Sequence, residues 1–376
     1  MDPTKQFCHN PACPQRGQIG QGNIGVHRER EHRYICHGCR TTCSATKGTP
    51  FFRLQTAADV VTLVLTLLCH GCPLRAVVAA FGVDERTVAA WQARAGQYCQ
   101  AVHEHLVAQE QVEVQSVQAD ELWVKLVGKK VWMAMALAVP SRLWLGGVVS
   151  SHRDLALITR VVQLVRSCAR SAAILVCVDG FASYVTAFRR GVPFGSRRPV
   201  HTGRRGRPRL VAETGLLLAQ VVKQYAQRHV VSVSRRVVQG SAEAIGGVIT
   251  ATHGGTDINT AYIERLNATF RSSLAPLARR GRAIVHTDTV LTAGMYLVGC
   301  AYNFCWIHAS LRQPAPVGAS LKWQERTPAM AADLTDHCWT MSELLHYQIP
   351  LPIWVAPKRR GRPPKASKLP AQGVAA

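Results

Sequence analysis

Acidic residues are scarce in this chain. Its 376 residues hold 22 Asp and Glu against 45 Lys and Arg, a net charge of +23 with His neutral. That deficit suits a polyanionic partner, although a GC-rich coding bias toward Arg would raise the same charge. Long apolar runs are also missing. The strongest, Val60–Cys69, is too short to span a bilayer and is interrupted by Thr62 and Thr66. Met1 to Phe7 carries no signal-peptide core. Together these absences predict a soluble, cytoplasmic protein with no membrane partner. No internal repeat of domain size occurs. Hydrophobic residues nevertheless make up 47% of the chain, enough for a sizeable core and too many for wholesale disorder.

Thirteen cysteines are the first positive feature. In a reducing compartment, clustered cysteines point to metal rather than to disulfides. Cys8 with Cys13, and Cys36 with Cys39, form two short pairs joined by a longer loop. Each pair can offer two thiolates from one tight knuckle, and the loop lets the knuckles meet around a tetrahedral Zn2+. Residues 1–50 hold little apolar bulk, so the folding of such a zinc ribbon would depend on its metal. His9, His37 and Cys43 are candidate substitutes or outer partners.

Residues 55–110 read as three helices. The first, Ala57 to His70, is closed by Gly71. The second, Leu74 to Phe81, presents Ala76, Val77, Ala80 and Phe81 inward. Gly82 can take positive φ at its end, and Asp84 can cap the third helix. There Val88 and Trp91 face inward, and Arg86, Thr87, Gln92 and Arg94 lie nearer a ligand. The order is that of a helix-turn-helix DNA-binding domain, whose turn chemistry an ordinary helical hairpin would share.

Residues 114–312 read as an α/β domain. Val117–Val127, Val131–Val139 and Leu143–Val149 are expected strands, with Gly128-Lys129-Lys130 as a hairpin turn. A helix, Asp154–Cys168, and a buried strand, Ala173–Val178, follow. Three strands, a helix and a strand open an RNase H-like sheet, in which acids on the first and fourth strands approach each other. Asp120 and Asp179 occupy those places. Asp179 ends an apolar strand, a favoured site position in α/β folds. Glu121 should point to the face opposite Asp120, so only one of them is expected at the metals. In Thr260–Leu274 an apolar stripe, Ile263, Leu266, Phe270 and Leu274, leaves Thr260, Glu264, Asn267 and Arg271 on the other face. Glu264 is therefore the expected third acid, with Asn267 and Arg271 reaching phosphate or DNA. Three such carboxylates can hold two Mg2+ or Mn2+ ions for an in-line displacement at phosphorus.

These motifs resemble those of bacterial insertion-sequence transposases of the Asp-Asp-Glu type, in the insertion sequence one family. Asp120-Glu121-Leu122-Trp123 with Gly128-Lys129-Lys130 resembles that family's first motif. Asp179-Gly180-Phe181-Ala182-Ser183-Tyr184 resembles its second, and Ile263-Glu264-Arg265-Leu266-Asn267, followed by Arg271 and Arg279-Arg280, its third. Tyr302-Asn303-Phe304 with His308 and Leu311 is similar to a helix ending found there. The likeness spans residues 8 to about 312. It implies a nucleoid-associated enzyme that binds element ends and target DNA as a homo-oligomer, then cuts and joins strands. The interval from Asp179 to Glu264 is longer than usual for that family, through a basic insertion at about 181–255. The extension 313–376 is additional.

Two basic segments share an Arg-Gly-Arg-Pro core. Arg204, Arg205 and Arg207 lie in one, and Arg360 and Arg362 in the other. Both resemble AT-hooks, slim enough to place Arg in a narrow A/T-rich minor groove. A solvated basic linker would have a similar composition. Two other functions compete with the enzyme. An inactive or domesticated transposase would bind DNA without cutting. A zinc-ribbon regulator would explain residues 1–110 but not the three acids.

Overall fold

The computed structural model describes residues 2–109, 112–126, 128–190, 215–227, 229–277, 287–315, 321–352 and 354–355. The chain divides into two compact units, 1–47 with 350–376, and 48–349. Both basic Arg-Gly-Arg-Pro segments, with Arg204, Arg205, Arg207, Arg360 and Arg362, lie outside the described residues, as do Arg279 and Arg280.

The first unit is a small antiparallel sheet in the order β1 (Ile24–Arg28), β2 (Arg33–Cys36), β3 (Thr42–Ser44). Its buried core consists of Cys8, Cys13, Ile24, Tyr34, Cys36 and Cys43. Beside these, Phe7 is the one other large apolar side chain buried among the unit's described residues, so burial alone offers this unit little stability.

In the second unit, three helices come first: α1 (Ala58–Cys69), α2 (Leu74–Phe81) and α3 (Glu85–Leu106). Gly82 ends α2 with φ +62°, and Asp84 caps α3 by accepting from the Arg86 amide at 2.8 Å. Val77, Val88 and Trp91 are buried as expected. Ala76 and Ala80 are not: both are exposed, because α2 is too short to bury more than one narrow edge. The third helix is longer than the turn motif requires. Its second half, through Ala95, Cys99 and Val102, joins the same core as the sheet that follows. Gly96 makes this possible, since a Cβ there would sit 2.2 Å from the Ala293 carbonyl oxygen.

The main sheet has six strands: β4 (Ser116–Leu126), β5 (Lys129–Ala138), β6 (Trp144–Ser150), β7 (Leu175–Asp179), β8 (Leu217–Ala226) and β9 (His229–Gln239). Their order is β6-β5-β4-β7-β8-β9. The first three form an antiparallel meander, β7 and β8 run parallel to β4, and β9 returns antiparallel along the edge. Five helices accompany these strands: α4 (Leu155–Cys168), α5 (Ala182–Arg190), α6 (Ala242–Ala251), α7 (Ala261–Ser273) and α8 (Asp288–Cys300), and two short ones, α9 (Pro328–Ala331) and α10 (Met341–His346), follow. The α4 helix covers β5 and β6, α6 lies against β8, and α7 packs on β4 and β5. Helix α8 is wedged between α3 and β6. It continues into a π-turn, Ala301–Cys305, whose buried Asn303 both accepts from the Trp144 amide and donates to the Trp144 carbonyl, each at 2.9 Å.

Asp288–Leu311 is long and apolar enough to cross a membrane, a run that a search for uninterrupted apolar residues overlooks. Its most apolar stretch is 72% buried inside the protein, which marks it as a core helix.

Candidate metal centres and the acidic site

The four thiols expected to meet do so. Cys8 and Cys13 come from the N-terminal knuckle, Cys36 from the end of β2 and Cys39 from the turn after it. All four sulfurs lie within 4.8 Å of one another. The Cys8 and Cys39 sulfurs are 3.6 Å apart, and those of Cys13 and Cys36 are 3.9 Å apart. A tetrahedron with metal–sulfur bonds of ~2.3 Å has edges of ~3.8 Å, so this donor set fits a tetrahedral thiolate-bound metal such as zinc. Disulfide-bonded sulfurs would lie at about 2 Å. Burial opposes ionisation of Cys39, but hydrogen bonds from Thr41, Asn10 and Cys8 together outweigh it and lower the thiol to about 6. His9, His37 and Cys43 stand outside the group of four.

The acids gather at the carboxyl end of β7, beside the middle of β4. The two strands run in register through Ala119 opposite Val178. Asp120 and Asp179 are the next residues on each, so sheet geometry alone brings their carboxylates together. Helix α7 then carries Glu264 to the same cavity of about 760 Å³, which Asp120, Asp179, Lys223, Glu264 and Arg271 line.

Helix α7 is fixed by Gln118, two residues before Asp120 on the same face of β4. Its buried amide oxygen accepts from the Tyr262 and Ile263 backbone amides at 3.0 Å, and its nitrogen donates to the Asn259 carbonyl at 2.8 Å. Glu264 accepts from Thr260 Oγ1 at 2.8 Å and pairs with Lys223 Nζ at 2.5 Å. Asp179 accepts from the Phe181 amide at 2.9 Å.

Three expectations change in detail. Asn267 lines the cavity, but its amide nitrogen is already engaged by an acid. It is only 2% exposed and donates to Asp120 Oδ2 at 2.8 Å, because α7 lies close enough on β4 to bury both of its edges. Asn267 therefore orients an acid. Arg94 is half-buried and donates to the Phe52 carbonyl, which ties α3 to the preceding loop. Arg86 and Thr87, by contrast, are exposed on the first turn of α3. Finally, Glu121 does reach the cluster. Its carboxylate lies within 4.8 Å of those of Asp120 and Asp179. Strand alternation sends it to the opposite face from Asp120, as expected. Asp179 is the last residue of β7, however, and its carboxylate lies near both side chains.

Arg153, immediately before α4, joins this second face to the first. Its guanidinium donates to both Glu121 oxygens, at 3.2 and 3.3 Å, and to Asp179 Oδ2 at 3.1 Å. The Glu121 side chain is fully buried, and burial pushes its carboxyl up to about 7. Burial, reinforced by the charges of Asp179 and Glu264, pushes Asp120 up to about 6. Crowded carboxylates of this kind offer hard oxygen donors suited to a divalent cation. Sequence reasoning missed Arg153, Lys223 and Gln118. Only Gln118 left a signal, as an amide two residues before Asp120 on the same strand face.

No protein-family model matches the chain, and no curated protein matches it.

Proposed function

We propose that this chain is a transposase of the Asp-Asp-Glu type, which binds the ends of a mobile element and cuts and joins DNA strands with magnesium or manganese. The observation that carries the reading is the convergence of Asp120, Asp179 and Glu264 on one cavity, from two in-register parallel strands and a helix docked beside them. A meander of three strands followed by two parallel strands is also the strand order of an RNase H-like sheet, with β9 as an added edge. The three helices before the sheet, with Arg86 and Thr87 exposed, support a helix-turn-helix reading. The four-thiolate cluster supports a zinc ribbon, and the net charge of +23 supports a DNA partner.

Asp120, Asp179 and Glu264 would hold the divalent ions, with Glu121 close enough to share one. When bound, such ions activate a water or a DNA 3′-hydroxyl and stabilise the leaving oxygen. The protein's own part is orientation and charge. Asn267 fixes the Asp120 carboxylate, the Phe181 amide and Arg153 fix that of Asp179, and Thr260 fixes that of Glu264. Lys223 and Arg271 place positive charge at the cavity, where a phosphodiester backbone would be held.

The test is a cleavage and strand-transfer assay on end-containing DNA with magnesium. Asp179→Ala and Glu264→Ala should each nearly abolish turnover while end binding survives. Combining them should add little, since groups acting as a unit are non-additive. Asp257→Ala should retain substantial activity, because Asp257 is an exposed loop residue 3.9 Å from Arg235. Near-normal activity in Asp179→Ala or Glu264→Ala would overturn the site. A parent protein that binds ends and never cuts them would favour a non-catalytic DNA-binding protein.

A further inference from the structure

On the sheet face that carries Glu121, aromatic rings and cations alternate along the surface. Trp123 follows Glu121 on this face of β4 and is 59% exposed. It stands opposite Trp132 in the β4–β5 ladder, and Lys125 stands opposite Lys130. The Lys130 ammonium lies 4.9 Å from the centre of the Trp123 ring and 4.5 Å from that of Trp132. Trp132 in turn lies 5.3 Å from the Arg153 guanidinium, which lies 4.2 Å from the Phe181 ring. Arg153 then bonds to Glu121 and Asp179. The row thus runs unbroken from the tip of a hairpin to the acidic site.

Cation–π pairing alone would stiffen the hairpin. It would not call for a tryptophan left mostly open to water, nor for a row that ends on the acids. Alternating cations and open aromatic faces are the elements with which proteins hold single-stranded nucleic acid: charge follows the phosphates, and rings stack on bases. Duplex bases already stack on one another and offer no free face to Trp123. An unpaired strand does.

We propose that this strip seats an unpaired DNA strand and leads it to the acids. Trp123 stacks on a base, Lys125 and Lys130 pair with phosphates, and Arg153 marks where the strand enters the site. The inference rests on the transposase reading only in taking those acids as the cutting centre.

The experiment measures binding of the full-length protein to a fluorescein-labelled thymidine oligonucleotide and to a blunt duplex of equal length, in magnesium-free buffer. Trp123→Ala should weaken oligonucleotide binding by roughly 5- to 150-fold, the loss expected for one stacked base, and duplex binding by less than about twofold. Trp123→Phe should recover most of the loss. Lys125→Ala, at an exposed position on the same face, should also weaken oligonucleotide binding and lower its salt dependence by about one unit of slope. Thermal melting of each variant shows whether it is folded. Unchanged oligonucleotide binding in folded Trp123→Ala, or equal losses on both DNAs, would overturn the strip. Cutting is scored separately, with magnesium. A parent that cuts while Trp123→Ala binds like the parent sinks the strip and leaves the transposase reading intact. A parent that binds through Trp123 but never cuts retains the strip and sinks the enzyme.

Discussion

Glu121 offers a direct thermodynamic test of the acidic site. Its carboxyl moves from an ordinary 4.5 to about 7 on folding, and that of Asp120 from 3.8 to about 6. Each change corresponds to on the order of 3 kcal/mol between protonation states. A carboxyl raised in this way binds more protons folded than unfolded across roughly pH 4.5 to 7. Stability conferred by the protonated form is therefore lost as pH rises through that window. The two groups titrate as a coupled set, so their effects fall short of a simple sum. Urea titrations followed by tryptophan fluorescence from pH 4.5 to 8, without magnesium, should show the protein weakening by several kcal/mol toward pH 8. Glu121→Gln should remove on the order of 2–3 kcal/mol of that decline, because a neutral amide has no proton to lose. Magnesium should reverse the loss where the acids are ionised. At 100 times its dissociation constant the ion stabilises by about 2.7 kcal/mol, and the effect should be larger at pH 8 than at pH 5. A Glu121→Gln protein with the parent's pH slope would refute the claim that this buried carboxyl belongs to the site.

Metal analysis of protein never exposed to chelator should find about one zinc per chain. Chelation or Cys36→Ser should unfold the small N-terminal sheet and lower DNA binding, while circular dichroism of the larger sheet persists; no bound zinc would count against the thiolate cluster. Asn267→Ala should leave the fold intact but raise the magnesium needed for half-maximal cleavage by about 10- to 100-fold, the usual loss when a partner that orients a metal-binding carboxylate is removed. An unchanged magnesium requirement would show that Asp120 does not depend on Asn267.

The elements that sequence patterns locate best are those whose periodicity is set by one buried face. β4 to β7 fall within a residue or two of expectation because their apolar runs are bounded by turn signals, as at Gly128 with φ +70°. Helix α7 follows its stripe, with Ile263, Leu266, Phe270 and Leu274 all buried. The Cys pairs were legible because ligand spacing is local. Long-range packing was not. The place of β8 beside β7 depends on a parallel pairing across an insertion, and no local pattern encodes it. The exposure of Ala76 and Ala80 has the same origin, since α2 meets its neighbours along only one edge.

The acidic site shows how a correct local rule can give an incomplete result. Alternation along β4 does send Asp120 and Glu121 to opposite faces, and it would separate them beside a continuing strand. The neighbouring β7 instead ends next to them, at Asp179, whose carboxylate both can approach. On one side Asn267 of α7 holds Asp120. On the other, Arg153 ahead of α4 holds Glu121. Each acid of the adjacent pair is thus tied to a different helix, and Asp179 is the carboxylate common to both. A displacement of α4 or of α7 would therefore reach the same carboxylate, and a strand seated along Trp123 and Arg153 would bear on the geometry of the acids without touching Asp120.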